Sequence, residues 1–258
     1  MIFPRANLIQ RLLSELRIGL ASRYEKLALY LIGSTVKNGF LACKDLDLLM
    51  VDLEASEPLN AGNLEHLVDC MRTGDPFAGS FDAASPDLRN WLAALLDSTS
   101  ADFPDIAATA SFAFGPAKGE LNIPDGSLHV HFCGPLTRGD LRSLASIMPF
   151  HAADFLTNCH SVIGPPLATL LESPHPTVRD LLFWDELLLR RFVAAPSMAA
   201  RRKWLKRMLL HRTILSAYDA KHSGIIAQYS AAVENATLQE MQTMISILAD
   251  SAKALRER

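Results

Sequence analysis

Residues 27–51 read LALYLIGSTVKNGFLACKDLDLLMV. The first seven, LALYLIG, form an apolar run closed by Gly33, which reads as a short strand. DLDLLMV (45–51) reads as a second strand carrying Asp45 and Asp47 one residue apart. Side chains alternate along a strand, so both carboxylates point to one face while Leu46 and Leu48 point to the other. Two like charges side by side repel unless a cation lies between them. Their natural use is to hold Mg²⁺, which takes carboxylate oxygens and leaves positions open for substrate phosphates. Gly33 and Ser34, at the carboxyl end of the first strand, would offer backbone N–H groups and a hydroxyl to phosphate oxygens. Ten residues separate Ser34 from Asp45. Taken singly, Asp-x-Asp is a common solvated strand face and Gly-Ser an ordinary turn; their order and spacing between two apolar strands favour a nucleotide site.

Working outward, residues 6–26 place Leu8, Leu12, Leu13, Leu16, Ile18 and Leu20 at helical spacing. Further helices are expected over 62–72 and over 86–97, the latter opened by Pro86. KGELNI (118–123) and SLHVHF (127–132) flank Pro124-Asp125-Gly126, a hairpin signal, and ATASFAF (108–114) would add a strand to the same sheet. A helix is expected over 138–147, followed by an irregular stretch reaching HSVIGPP (160–166). Beyond SPHPT (173–177) the pattern is helical to the end, over 177–194, 197–220, 224–233 and 236–255. The expected architecture is therefore α+β: a small mixed sheet in residues 1–174, then an all-helical domain over 175–258.

Bulk properties narrow the function. The chain has 258 residues, 49% of them hydrophobic, and a net charge of −3. That is a globular composition with no field to attract long nucleic acid or an anionic membrane. MIFPRANLIQ lacks a basic start followed by a long apolar core, so no secretory signal is expected, and no run of about 18 apolar residues suggests a membrane span. Cys43, Cys70, Cys133 and Cys159 form no CxxC pair, which points to reduced thiols in a cytoplasmic protein.

The segment LYLIGSTVKNGFLACKDLDLLMV resembles the active-site signature of the DNA polymerase beta-like nucleotidyltransferase superfamily: strand, Gly-Ser, variable loop, then Asp-x-Asp in the next strand. HSVIGPPLATLL (160–171) is similar to the strand and turn that close this domain in small-molecule nucleotidyltransferases, which also carry helical carboxy-terminal domains. The resemblance implies Mg²⁺, a nucleoside triphosphate (ATP first among them), and transfer of a nucleoside monophosphate to a small-molecule or protein acceptor. It implies that Asp45 and Asp47 hold metal, that Gly33 and Ser34 grip phosphates, and that the acceptor is chosen in a cleft between the two domains.

The family's third carboxylate, on a later strand, would fall at about His129, so histidine appears in its place. Three readings stand side by side. His129 acts as base or nitrogen ligand, imidazole being suited to both near neutrality. Glu120, on the neighbouring strand, supplies the carboxylate if hairpin register turns it to the site. Or the site binds nucleotide without turnover, making the chain a silent nucleotide-binding or partner-binding protein. In the helical half, eight basic residues and no acidic one lie between Leu187 and Tyr218. Most such runs are the wet face of a helix; lining a cleft, Lys203, Lys206 and Arg207 would neutralise a triphosphate. Trp204, Leu205, Met208, Leu209 and Leu215 read as the apolar stripe of that helix, and Phe183 and Trp184 as core.

Overall fold

The computed structural model describes residues 4–40, 43–55, 86–103, 105–111, 117–123, 126–218 and 232–256. The chain divides into two compact units, Met1–Ser173 and Pro174–Arg258. The first is mixed α and β and is built on a six-stranded sheet.

That sheet has the order β3-β4-β5-β2-β1-β6. Its strands are β1 (Leu27–Ile32), β2 (Asp45–Asp52), β3 (Ala107–Ser111), β4 (Ala117–Ile123), β5 (Gly126–Leu136) and β6 (Cys159–Ile163). β2 runs parallel to β5, and every other neighbouring pair is antiparallel. All six residues of β1 are buried, as an apolar strand with neighbours on both edges and cover on both faces requires. β2 is different along its length: Asp45 is exposed and Asp47 half-buried, whereas Leu48 to Val51 are all buried. The strand thus enters the protein at its acidic end and becomes core within four residues.

One face of the sheet is packed. Leu29, Leu31, Leu46, Leu48, Met50, Leu121, Leu128, Val130 and Phe132 share a core with α1 (Pro4–Arg23) and α3 (Pro86–Ala101). Leu8, Leu12, Leu16 and Leu20 recur every four residues along α1 and are buried, together with Ile9. Ile18 falls off this stripe and is 60% exposed, so its assignment to the apolar face is corrected. The two helices approach closely at Gly19, where a Cβ would lie 2.1 Å from the Trp91 ring.

After β5, Thr137 and Asp140 cap one another's backbone N–H at the start of α4 (Arg138–Ile147). The expected irregular stretch that follows is instead largely a helix, α5 (Pro149–Thr157), with Pro149 in its first turn. The chain then enters β6 and turns at Gly164. The Tyr30 hydroxyl donates to the Pro165 carbonyl at 2.7 Å, tying β1 to this turn.

The second unit is helical: α6 (Val178–Ala194), α7 (Met198–Tyr218) and α8 (Leu238–Arg256), with a short 3₁₀ turn at Ala232–Glu234. Leu188, Phe192, Leu205, Met208, Leu209, Met241 and Leu248 form its core. Trp184 is buried, but Phe183 is 53% exposed, which corrects its placement in the core. Arg212 makes a paired contact with Asp185, at 2.8 and 2.6 Å, inside this bundle. Burial pushes the Asp185 carboxyl upward, and Arg212 opposes that shift. The helices expected over 62–72 and, for the most part, over 224–233 lie outside the described residues.

Candidate functional site

β1 delivers the chain to Gly33 with φ +78° and ψ −146°, a region that only glycine occupies readily. The Gly33 N–H donates to the Asn158 carbonyl at 3.3 Å. A single short helix, α2 (Ser34–Asn38), follows, with Ser34 exposed and Thr35 buried. Further links fix this turn to the rest of the unit. The Thr35 hydroxyl donates to the backbone carbonyl of Asp45 at 2.7 Å, and the Cys43 thiol donates to the same carbonyl at 3.0 Å. Lys37 pairs with Asp154 of α5 at 2.7 Å, and Asp154 also accepts from the Asn158 side chain at 2.8 Å. Burial, followed by the nearby Asp45 and Asp47 charges against the opposing effects of Thr35 and Arg5, pushes the Cys43 thiol up, so it serves as a neutral donor.

The acids stand beside this turn. A Cβ on Gly33 would lie 3.0 Å from Asp47 Oδ2, so the glycine leaves the space that the carboxylate borders. On the other side of β2, the parallel register sets Asp45 beside His129 and Asp47 beside His131. The β4–β5 hairpin then sets Glu120 directly opposite His129. Paired residues in a sheet share a face, so Asp45, His129 and Glu120 form a row across three strands, with Asp47 and His131 in the next row. Glu120 therefore faces the same way as the acids, the point that sequence left to register.

Within this face the direct contact is one the sequence did not assign. His131 Nδ1 lies 3.0 Å from Asp47 Oδ1, with both side chains about one-third exposed (29% and 32%). His129, expected at the position of the third acid, is half-buried beside Asp45 and bonds to no other described side chain. The signal for His131 was its alternation with His129, which placed both on one face but could not show which reached an aspartate. Among the described residues no three histidine, cysteine or carboxylate groups form a metal-holding cluster by themselves. Two open carboxylates on one face nevertheless fit Mg²⁺, which is commonly held by one or two carboxylates and completed by substrate phosphates and water.

Several basic residues of α7 find partners within the helical unit. Lys206 pairs with Glu234, and the Lys203 ammonium sits 5.3 Å from the centre of the Trp204 ring, which Arg191 also faces. Arg207 lies on the same helix. These partners give Lys203 and Lys206 a role in the bundle that needs no phosphate. No helix among the described residues is long and apolar enough to cross a membrane.

Comparison with protein-family models, with curated proteins and with solved structures yields no match for this chain.

Proposed function

We propose that the chain is a Mg²⁺-dependent nucleotidyltransferase of the DNA polymerase beta-like type, acting on a small-molecule or protein acceptor. The supporting observation is the juxtaposition of the Gly33–Ser34 turn with Asp47, close enough that any side chain at position 33 would crowd the carboxylate. Asp45 and Asp47 present oxygen ligands to the cation on one open face. Ser34 offers its backbone N–H and an exposed hydroxyl to the triphosphate, while Gly33, whose own N–H is taken by the Asn158 carbonyl, keeps the turn free of side-chain bulk. Bound Mg²⁺ would supply charge neutralisation on the transferring phosphate and a lowered pKa for the attacking hydroxyl. The acceptor oxygen attacks the α-phosphorus, the bond to the β-phosphate bridging oxygen breaks, and pyrophosphate leaves.

His129, beside Asp45 on this face, takes the hydroxyl proton in this reading, and Glu120 is the neighbouring group able to do so in its stead. Pyrophosphate release from a nucleoside triphosphate, with Mg²⁺ and a panel of hydroxyl acceptors, tests the proposal. Turnover by the parent should fall at least a hundredfold in His129→Ala with nucleotide affinity nearly unchanged, because a base acts mainly in the transition state. Turnover that survives His129→Ala and is lost in Glu120→Gln moves the proton to Glu120. Nucleotide binding with no pyrophosphate under any acceptor makes the protein a silent binder.

A further inference from the structure

We infer that His131 is a positioning residue for Asp47, fixing which carboxylate oxygen is offered to a bound cation; the inference rests on the nucleotidyltransferase reading for what that cation does. The two oxygens of Asp47 have different surroundings. Oδ1 lies 3.0 Å from His131 Nδ1. Oδ2 lies on the Gly33 side, 3.0 Å from where a Cβ on that residue would stand. A carboxylate only accepts, so the imidazole donates from Nδ1. With Oδ1 engaged, rotation of the carboxylate is restrained and Oδ2 stays beside the Gly33–Ser34 turn.

The backbone supports this arrangement. Asp47 and His131 are register partners on adjacent parallel strands, and the flanking Leu46, Leu48, Val130 and Phe132 are buried in the core on the opposite face. Neither strand can slip by one residue without turning these apolar side chains outward. The register that sets Asp47 beside His131 is therefore held by four buried residues. Asp45 is exposed, and among the described residues its carboxylate has no hydrogen-bond partner, the neighbouring His129 included. The two aspartates are thus inequivalent, Asp47 oriented and Asp45 free to adjust to its ligand. Hydrogen-bonded partners of ligating groups commonly govern metal affinity by 10- to 100-fold.

Mn²⁺, read by its electron paramagnetic resonance signal with and without a nucleoside triphosphate, serves as probe on the full chain. His131→Ala should weaken Mn²⁺ binding in the presence of nucleotide by about 10- to 100-fold. His131→Asn should recover it to within about threefold, because the asparagine Nδ2 occupies the place of imidazole Nδ1 and also donates. A loss of mere strand packing would not be rescued by this smaller polar residue. Nitrogen-15 spectra of the parent without metal should show the Nδ1–H tautomer at His131, lost in Asp47→Ala. An Nε2–H tautomer in the parent, or unchanged Mn²⁺ affinity in His131→Ala while Asp47→Asn abolishes binding, overturns the inference. If Asp47→Asn also leaves Mn²⁺–nucleotide binding unchanged, the nucleotidyltransferase reading fails with it; the tautomer then decides whether His131 still holds Asp47.

Discussion

The buried hydroxyl of Thr35 donates to the main-chain carbonyl of Asp45, ten positions further along the chain, at 2.7 Å. This bond joins the turn after β1 to the first residue of β2, so the Gly33–Ser34 turn and the aspartate-bearing end of β2 are one local unit. Thr35→Val keeps the shape and removes the donor. The Cys43 thiol remains on the same carbonyl, so the expected cost is about 1–2 kcal/mol in urea unfolding, with weaker metal-dependent nucleotide binding. Thr35→Ser should restore both. Equal stability and binding in Thr35→Val and parent would mean that the bond does not organise the site.

Gly33→Ala tests the turn itself. The backbone conformation alone should cost about 1–3 kcal/mol, and the new methyl would press on Asp47 Oδ2 from 3.0 Å. Gly39 is the control: its φ is +75°, yet a Cβ there meets nothing within 4 Å. Gly39→Ala should lower the thermal midpoint while leaving nucleotide affinity near that of the parent. Gly33→Ala should lower both. Matching losses of affinity in the two variants would count against crowding of Asp47.

Tyr30 gives a pH dependence of known sign. Its hydroxyl ionisation is pushed up to about 12, mainly by burial and secondarily by Cys159, against an ordinary value of 10.0. A raised folded-state value means that the Tyr30 contribution is complete below pH 10 and is lost as pH rises toward 12. The loss is on the order of 3 kcal/mol at most. At neutral pH Tyr30→Phe should be less stable than the parent by about 1 kcal/mol, through loss of the bond to Pro165. Denaturant unfolding of both proteins from pH 8 to 11.5 should show this difference narrowing above about pH 10. A difference that stays constant across the range would contradict the assignment.

In the helical unit, Arg212→Met leaves Asp185 buried without its cation. The expected destabilisation is about 3–5 kcal/mol, read by urea unfolding of the full chain. The double variant Asp185→Leu, Arg212→Met should recover most of that loss, because the main cost lies in the unpaired buried carboxylate. Additive losses in the double variant would show that Arg212 acts chiefly through its bonds to the Met208 and Leu248 carbonyls.

Much of this fold is legible in local sequence. β1 and β2 follow from two apolar runs, α1 from leucines four apart, and the β4–β5 hairpin from strand patterns around Pro124-Asp125-Gly126. α5 was not legible, because nine residues opened by a proline directly after another helix look like a break. Missing it also hid Asp154, whose pairing with Lys37 spans 117 positions and leaves no periodic trace. The acid pair could be read because alternation alone puts Asp45 and Asp47 on one face. Strand pairing could not: whether Glu120 joined them, and whether His129 or His131 touched an aspartate, depended on register, which a one-residue slip reverses. The basic run of α7 was legible only as charge, because the partners of Lys206 and Lys203, Glu234 and the Trp204 ring, do not show in a count along one helix.

In the proposed function Asp45 and Asp47 hold a divalent cation for nucleotide. Calorimetric titration of a nucleoside triphosphate into the parent, Asp45→Asn and Asp47→Asn, each with and without Mg²⁺, tests it most directly. The parent should bind in a Mg²⁺-dependent manner. Both variants should remain folded, since each relieves like-charge repulsion in the metal-free state, and each should lose at least about tenfold in affinity, 1.4 kcal/mol or more. Mg²⁺-dependent binding of equal strength in all three proteins would contradict the account.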